Sequence, residues 1–556
     1  MNKTVIPSIT LKGSGRNRWR QIAVAGLIFL TGGCSSTDGP QQGTVGFVEG
    51  FLGGVAADEP RAATIGRDVL SAGGTAADAA TAIYFALSVT MPSSASLGGG
   101  GVCIVHDWKT KKTEMLDFLA RPPKAIPAGA DRPTAVPGNP RGFYALHSRF
   151  GRLRWEALVG SAENLARFGT PVSRAFAVDL ARVGNALLTD PNARRIFGQA
   201  GGQRVAGEGE TLVQFELASM LGLIRRAGPG DFYDGPTAHQ LVAAVNAAGG
   251  SLGIDDLRAY RPAWRETIRV PYGNRVAHFT SPPGAAGALA AGMWRMLADD
   301  DRFEDASPAV RDHLLAETAL RAFADRGRWL QDDGTSSVPP ADLAVPSRTA
   351  ALMASYREDR HIPAAEITPP PVERLENPAA TSFVVVDRDS SAVACALTMN
   401  NLFGTGRVAG GTGILMAAAP GPAGRGPTSL GPMMVLNEHV NELIFAGAAS
   451  GGAAAPTALV GVAARALLAE QSLAEAMETK RVHHQGVPDT TFVESASSEE
   501  AREELRRRGH QVAVSPILGR VNATYCPDGL PSHPNLCTIA TDAPPRGYGL
   551  TAIGGE

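Results

Sequence analysis

The stretch that most constrains this chain is residues 377 to 406, NPAATSFVVVDRDSSAVACALTMNNLFGTG. Val384, Val385 and Val386 favour a strand, Asp387 to Ser391 supplies turn chemistry, and Ala392 to Met399 is apolar again. The spacing predicts two strands joined by a turn, followed by a Gly-rich loop. Thr381, Ser382, Thr398, Asn400 and Asn401 stand at the open ends of those strands. Small hydroxyl and amide groups in that place are either the front of an active site or the rim of a core sheet.

The remainder of the chain sets what this hairpin packs against. Residues 61 to 89 read as two helices separated by Gly73 and Gly74, and the second, TAADAATAIYFALSV, is apolar nearly all round and therefore buried. PSSASLGGGGVCIVHD gives a loop and a glycine run entering a strand, and residues 104 to 118 form a hairpin with its polar tip at Lys109 to Lys112. From about 140 to 330 the pattern is mainly helical, punctuated by breaks such as SPPGAAG. Strands are expected again at 381 to 399 and 432 to 447, a helix at 456 to 475, and a last helix and strand at 497 to 514. The order of strands, helical middle, then strands and helices predicts an α+β fold. It fits a four-layer αββα sandwich whose sheets draw on both ends of the chain.

With 556 residues, 44% of them apolar and 19% charged, the chain can bury a large core. A formal net charge of -2 and the lack of a Lys/Arg stripe give no electrostatic case for nucleic acid. Lys3, Lys12, Arg16, Arg18 and Arg20 precede the short apolar run IAVAGLIFL and then TGGCSS. A basic region, a short apolar core and small residues describe a secretory leader over 1–33, too short for a comfortable membrane span. Small residues before Cys34 resemble a bacterial lipobox, with residues 34–45 as a flexible tether. The expected location is the cell envelope, lipid-anchored and facing the periplasm or outer surface, with the membrane touched only through that anchor. An incidental cysteine behind a plain signal peptide is the alternative.

In such an oxidising compartment Cys526 and Cys537, flanking a turn-rich loop, can close a disulfide. Cys103 and Cys395 lie in apolar, strand-like runs and read as buried thiols. No cysteine or histidine spacing suggests zinc, and the adjacent His483 and His484 point to opposite faces of an extended segment. Nothing in the sequence calls for a metal or cofactor.

Three kinds of chemistry can be weighed. SLGGGGV lacks the Lys-Ser/Thr pair and the strand–loop–helix order of a phosphate loop. No G-x-S-x-G elbow is present, so an α/β-hydrolase triad is unsupported. The third is an N-terminal threonine, whose own α-amino group, with a pKa of about 7.7 to 8.0, serves as the base. That amine exists only after the chain cuts itself before the threonine. Thr381 sits where a Pro-rich stretch gives way to a strand, Thr398 and Asn400 share a face of the next strand, and Gly451 and Gly452 can offer backbone N–H groups as an oxyanion hole.

Several pieces of the chain, in order, resemble the γ-glutamyltranspeptidase (glutathione hydrolase) family of N-terminal-nucleophile hydrolases. They are AGGTAADAATAIYFALSVTMPSSASLGGGG, AVPGNPRGF, GDFYDG, LAETALRAFADR, DRDSSAVACALTMNNLFGTG and RVHHQGVPD. The resemblance runs from about Gly46 to Ile553 and implies the αββα fold. It implies one precursor that cuts itself into a large piece (46–380) and a small piece (381–556), acting on a small amide or peptide substrate. The family reads Thr-Thr-His-x-x-Val-Val-Asp at the cut. Counting back from Asp387, its first Thr falls on Ala380 and its second on Thr381. Thr398 and Asn400 match the family, Thr428 and Ser429 keep both hydroxyls of its Ser-Ser, and Gly451 and Gly452 match its glycine pair. The family's substrate arginine is replaced by Leu119, with Arg121 two residues on, and Ala419 and Pro422 replace its Gln and Asp. Losing that set weakens recognition of a γ-glutamyl zwitterion, which needs paired partners in a closed site. Two readings stay open: a divergent hydrolase or transferase with Thr381 as nucleophile, or a catalytically silent relative serving as a binding or structural envelope lipoprotein.

Overall fold

Residues 51–372, 378–421 and 429–555 are described in a computed structural model of the chain. The expected leader, Cys34, the tether, Pro422 and Thr428 lie outside the described residues. All described residues fall in one unit, Phe47–Glu556. Among them, no helix is long and apolar enough to cross a membrane.

The hairpin expected from the sequence is present as Ala380–Asp387 and Ala392–Thr398. Asp387 shapes its turn, accepting from the N–H groups of Asp389 and Ser391, both at 3.0 Å. The same carboxylate accepts from Ala76 N–H at 3.0 Å, tying the hairpin to the start of the helix Ala76–Thr90. Burial pushes the Asp387 carboxyl up to about 6. That helix is buried along its whole length and is opened by a capping box between Thr75 and Asp78.

Around the hairpin a seven-stranded sheet assembles in the order Leu550–Ile553, Gly53–Ala57, Ala380–Asp387, Ala392–Thr398, Gly100–Asp107, Lys112–Phe118 and Ala263–Glu266. Every neighbouring pair is antiparallel. A second, six-stranded antiparallel sheet runs Thr538–Thr541, Arg520–Leu530, Glu442–Ser450, Met433–Asn437, Arg275–Phe279, Ile268–Tyr272.

Side chains alternate along each strand and so define the layers. Phe383 and Val385 turn outward into a core shared with Ile83, Phe85 and Phe143 of the covering helices. Val384 and Val386 turn inward against Met434, Leu436 and Ala446 of the second sheet. The far face of that sheet is covered by the helices Ala285–Ala298, Pro308–Trp329 and Ala454–Leu467. The fold is the expected αββα sandwich.

Three expectations are corrected. The region read as helical to residue 330 contains the strands between Ala263 and Phe279. The helix expected at 456 to 475 is two, Ala454–Leu467 and Leu473–Glu478, the second restarted by the Ser472 cap. Cys103 and Cys395 are a disulfide rather than separate thiols, because they are direct cross-strand partners with Cα atoms 4.1 Å apart. Cys526–Cys537 is bonded as expected.

Candidate active site

The site is built where the strand starting at Ala380 meets the ends of its neighbours. Pairing in the hairpin is unbroken from Ala380↔Thr398 to Val386↔Ala392, with Thr381 opposite Leu397. No bulge shifts the register, so Ala380 and Ser382 share the inward face with Val384, and Thr381 lies on the other face.

Ala380 is enclosed by Val102, Met115, Leu119, Ala396 and Leu430, an apolar set. Leu119 therefore occupies the ground beside Ala380. Arg121 is drawn away: its Nη2 lies 2.7 Å from Asp117, which Arg265 also contacts at 3.0 Å. Ser429 is buried next to Leu430. Ala419 is buried and hydrogen-bonded through its N–H to the Pro133 carbonyl at 2.8 Å. The Thr398 hydroxyl donates to the Ala379 carbonyl at 2.7 Å and accepts from Asn400 N–H at 3.0 Å. Asn400, at φ +58°, spans to the carbonyls of Ala120 and Ala418 through its amide nitrogen. Thr398 thus acts on the segment before Ala380, while Asn400 holds Thr398 and bridges the backbone at Ala120 and Ala418.

Thr381 belongs to a different, polar cluster. Its hydroxyl donates to Asp58 Oδ2 at 3.2 Å, and both side chains are buried. The same oxygen accepts from Ser382 N–H at 3.0 Å and Ser450 Oγ at 3.3 Å, while Asn522 Nδ2 reaches Asp58 Oδ1 at 2.8 Å. Asn522 also donates to the Ser382 hydroxyl at 2.9 Å. Arg520 completes the group, with Nε 3.1 Å from Ser450 Oγ and Nη2 2.8 Å from the Ala380 carbonyl oxygen. Close to it, burial raises the Asp179 carboxyl, against the pull of the Arg520 charge and a 2.7 Å hydrogen bond from Ser93.

Gly451 and Gly452 follow Ser450 directly, at φ +126° and +67°, and lead into the helix Ala454–Leu467. A Cβ at Gly451 would come within 2.7 Å of Gly519 Cα, so glycine is required there by space as well as by φ. Their backbone lies at the positive end of that helix, a setting suited to a developing oxyanion. Asp58 and Arg520 were not anticipated. Asp58 follows a buried strand more than three hundred residues before Thr381, and no local pattern announces such a contact.

Two further groups, among the described residues, bring three potential metal ligands within 4.8 Å: His313, Glu317 and His510, and His361, His484 and Asp489. Hydrogen bonds account for their ring nitrogens. His313 Nε2 donates to the Arg357 carbonyl (2.8 Å), leaving Nδ1 to accept from His510 Nε2 (2.7 Å), and His510 Nδ1 accepts from the Thr491 hydroxyl (2.8 Å). Gly486 N–H donates to His484 Nδ1 (3.0 Å), which puts the proton on Nε2, facing Asp489 (3.1 Å). His361 lies between Glu317 (2.6 Å) and Asp489 (3.2 Å) and carries both protons. With tautomers assigned from these partners, protons fill the places an ion would take. His483 turns instead to Thr457, so the adjacent pair shares no site.

Comparison with known proteins follows the same line. A family model described as Gamma-glutamyltranspeptidase matches residues 62–530. The chain is 29% identical to a glutathione hydrolase proenzyme of Escherichia coli, covering 92% of this chain and 96% of that protein. It is 31% identical to the corresponding proenzyme of Pseudomonas aeruginosa, covering 82% and 88%. Among solved structures, a cephalosporin acylase from Bacillus halodurans superposes with a TM-score of 0.76 at 23% identity, covering 93% of this chain and 98% of that one. That likeness carries the fold alone.

Proposed function

Since the chain belongs to the γ-glutamyltranspeptidase family, we propose that it is an amide hydrolase or acyl transferase whose nucleophile, Thr381, is freed by self-cleavage after Ala380. The observation that carries this reading is the contact between the Thr381 hydroxyl and the buried Asp58 carboxylate, beside an Ala380 with no hydroxyl of its own. Once freed, the Thr381 amine, with an ordinary pKa of about 7.7 to 8.0, serves as the base that activates the adjacent hydroxyl. Gly451 and Gly452 supply backbone N–H groups for the oxyanion. The substrate is an amide carrying a γ-glutamyl or related acyl group, held weakly at its charged end. Leu119 and Leu430 line the ground beside Ala380, Ala419 carries no polar side chain, and Arg121 is engaged with Asp117.

One observation favours a second reading. Ala380, not Thr381, stands across from Thr398 in an unbroken register, which fits a silent relative kept as an envelope binding or structural protein. A denaturing gel of the mature protein, run with reductant, separates the two. Two pieces, the smaller beginning Thr-Ser-Phe-Val and absent in Thr381→Ala, support the enzyme. A single intact chain supports the silent relative.

In either case the proposed location is the cell envelope, through lipid on Cys34. Fatty-acid labelling that persists in Cys34→Ala would rule out that anchor.

A further inference from the structure

We infer that Asp58 and Arg520 are the catalytic pair for self-cleavage of the Ala380–Thr381 bond, an inference that rests on the reading of Thr381 as nucleophile. The hydroxyl that must attack and the carbonyl that it must attack are each already held by one of these residues. Asp58 Oδ2 accepts from the Thr381 hydroxyl at 3.2 Å, and Arg520 Nη2 donates to the Ala380 carbonyl oxygen at 2.8 Å. Before the cut no free amine exists to act as base, so another group must take the hydroxyl proton. Asp58 is the carboxylate in contact with it.

The step balances without any added reagent but water. Thr381 Oγ bonds to the Ala380 carbonyl carbon as its proton passes to Asp58 Oδ2, and the carbonyl electron pair moves onto the oxygen facing Arg520. Negative charge thus leaves Asp58 and appears beside a guanidinium already in hydrogen-bonding position, where a preorganised donor is most effective. Collapse breaks the C–N bond, and the proton on Asp58 passes to the leaving nitrogen. An ester then joins Ala380 to Thr381 Oγ. Water hydrolyses it to the Ala380 carboxylate and the free Thr381 amine.

The surrounding contacts hold this arrangement. Ser382 N–H, Ser450 Oγ and Asn522 Nδ2 fix the Asp58 carboxylate. Ser450 also receives Arg520 Nε at 3.1 Å, so one hydroxyl links the acid to the guanidinium. Arg520 is only half-buried, which lets it be changed with little cost to the core.

Freshly translated precursor, followed on reducing gels over time, provides the test. Wild type is expected to give a small piece beginning Thr-Ser-Phe-Val, with hydroxylamine hastening the cut by trapping the ester. Asp58→Asn is expected to slow the cut by about 100-fold or more, and Arg520→Gln by about 100-fold, with Arg520→Lys between it and wild type. Circular dichroism establishes that each variant is folded. If Asp58→Asn fails to fold, Arg520→Gln decides. A folded variant of either residue that cuts at the wild-type rate overturns the assignment while leaving Thr381 as nucleophile. A wild-type precursor that stays whole overturns the nucleophile reading itself, and this pair with it.

Discussion

Ala380 and Thr398 are direct partners across the hairpin, and the Thr398 hydroxyl donates to the carbonyl of Ala379, one residue before Ala380. The carbonyl that Thr398 holds is therefore the one that a hydroxyl at position 380 would attack. Ala380→Thr is expected to move the cut one residue earlier. N-terminal sequencing of the small piece should then read Thr-Thr-Ser-Phe. The enclosing side chains are tightly packed, so the added volume costs about 1 kcal/mol of stability. A fragment still beginning Thr-Ser-Phe would show that Thr398 does not govern the choice of bond.

Leu119 is buried against Ala380 and Leu430. Wild-type protein is expected to turn over glutathione far more slowly than the P. aeruginosa relative assayed beside it. Placing an arginine at this position does not restore the reaction by itself, because the guanidinium is desolvated in an apolar cluster and the nearby Asp117 carboxylate is already shared by Arg121 and Arg265. Leu119→Arg should lose about 3 kcal/mol in urea unfolding. A variant as stable as wild type would mean that the ground beside Ala380 is open to water.

His361 lies between Glu317 and Asp489. Burial opposes its charge, but the hydrogen bond and charge of Glu317, joined by Asp489, raise its pKa. A raised histidine stabilises the fold fully below its unfolded value of about 6.5 and loses that contribution as pH climbs through the folded value. On His510, pushed down to about 3, and on His313, also lowered, burial prevails, so their net shifts run the other way. The informative quantity is thus the melting-temperature gap between wild type and His361→Gln. It should be widest at about pH 6 and narrow toward about pH 9. A gap that stays constant over that range would falsify a charged His361 held between Glu317 and Asp489.

Thiol titration of the unfolded, unreduced protein checks the pairing of cysteines. Cys103–Cys395 closes a loop across 292 positions, about half of the chain, and Cys103→Ala with Cys395→Ala is expected to cost about 2 to 4 kcal/mol. In a Cys34→Ala background no free thiol should react. Two reactive thiols would return Cys103 and Cys395 to the reduced state first expected of them.

Much of the architecture is legible in local sequence because local chemistry decides it. Asp387 to Ser391 makes a turn wherever it lies, and the helix Ala76–Thr90, apolar nearly all round, has nowhere to go but the interior. The strands from Ala263 to Phe279 were missed although Ile268, Arg269 and Val270 alternate buried and exposed. Pro271 and the Gly273 turn interrupt the pattern before it reaches a convincing length. Likewise Arg520–Leu530 runs straight through Cys526 into what reads as a turn-rich loop. The site was only half legible. The face on which Thr381 lies follows from counting, whereas Asp58, Arg520 and the partner of Cys103 come from elements far apart in the chain.

The bond between Cys103 and Cys395 spans the Ala380–Thr381 junction, one sulfur coming from each side of it. The strand Gly53–Ala57 is likewise paired on both edges, with Leu550–Ile553 and with Phe383–Asp387, from beyond that junction. A nick there would therefore leave a single crosslinked particle, indistinguishable by size from the uncut chain until a reductant is added. Even after reduction, neither fragment could depart without baring unpaired strand edges to water. Cleavage in this molecule would alter which atoms are free to react while leaving its hydrodynamic size and its subunit count, as seen from outside, untouched.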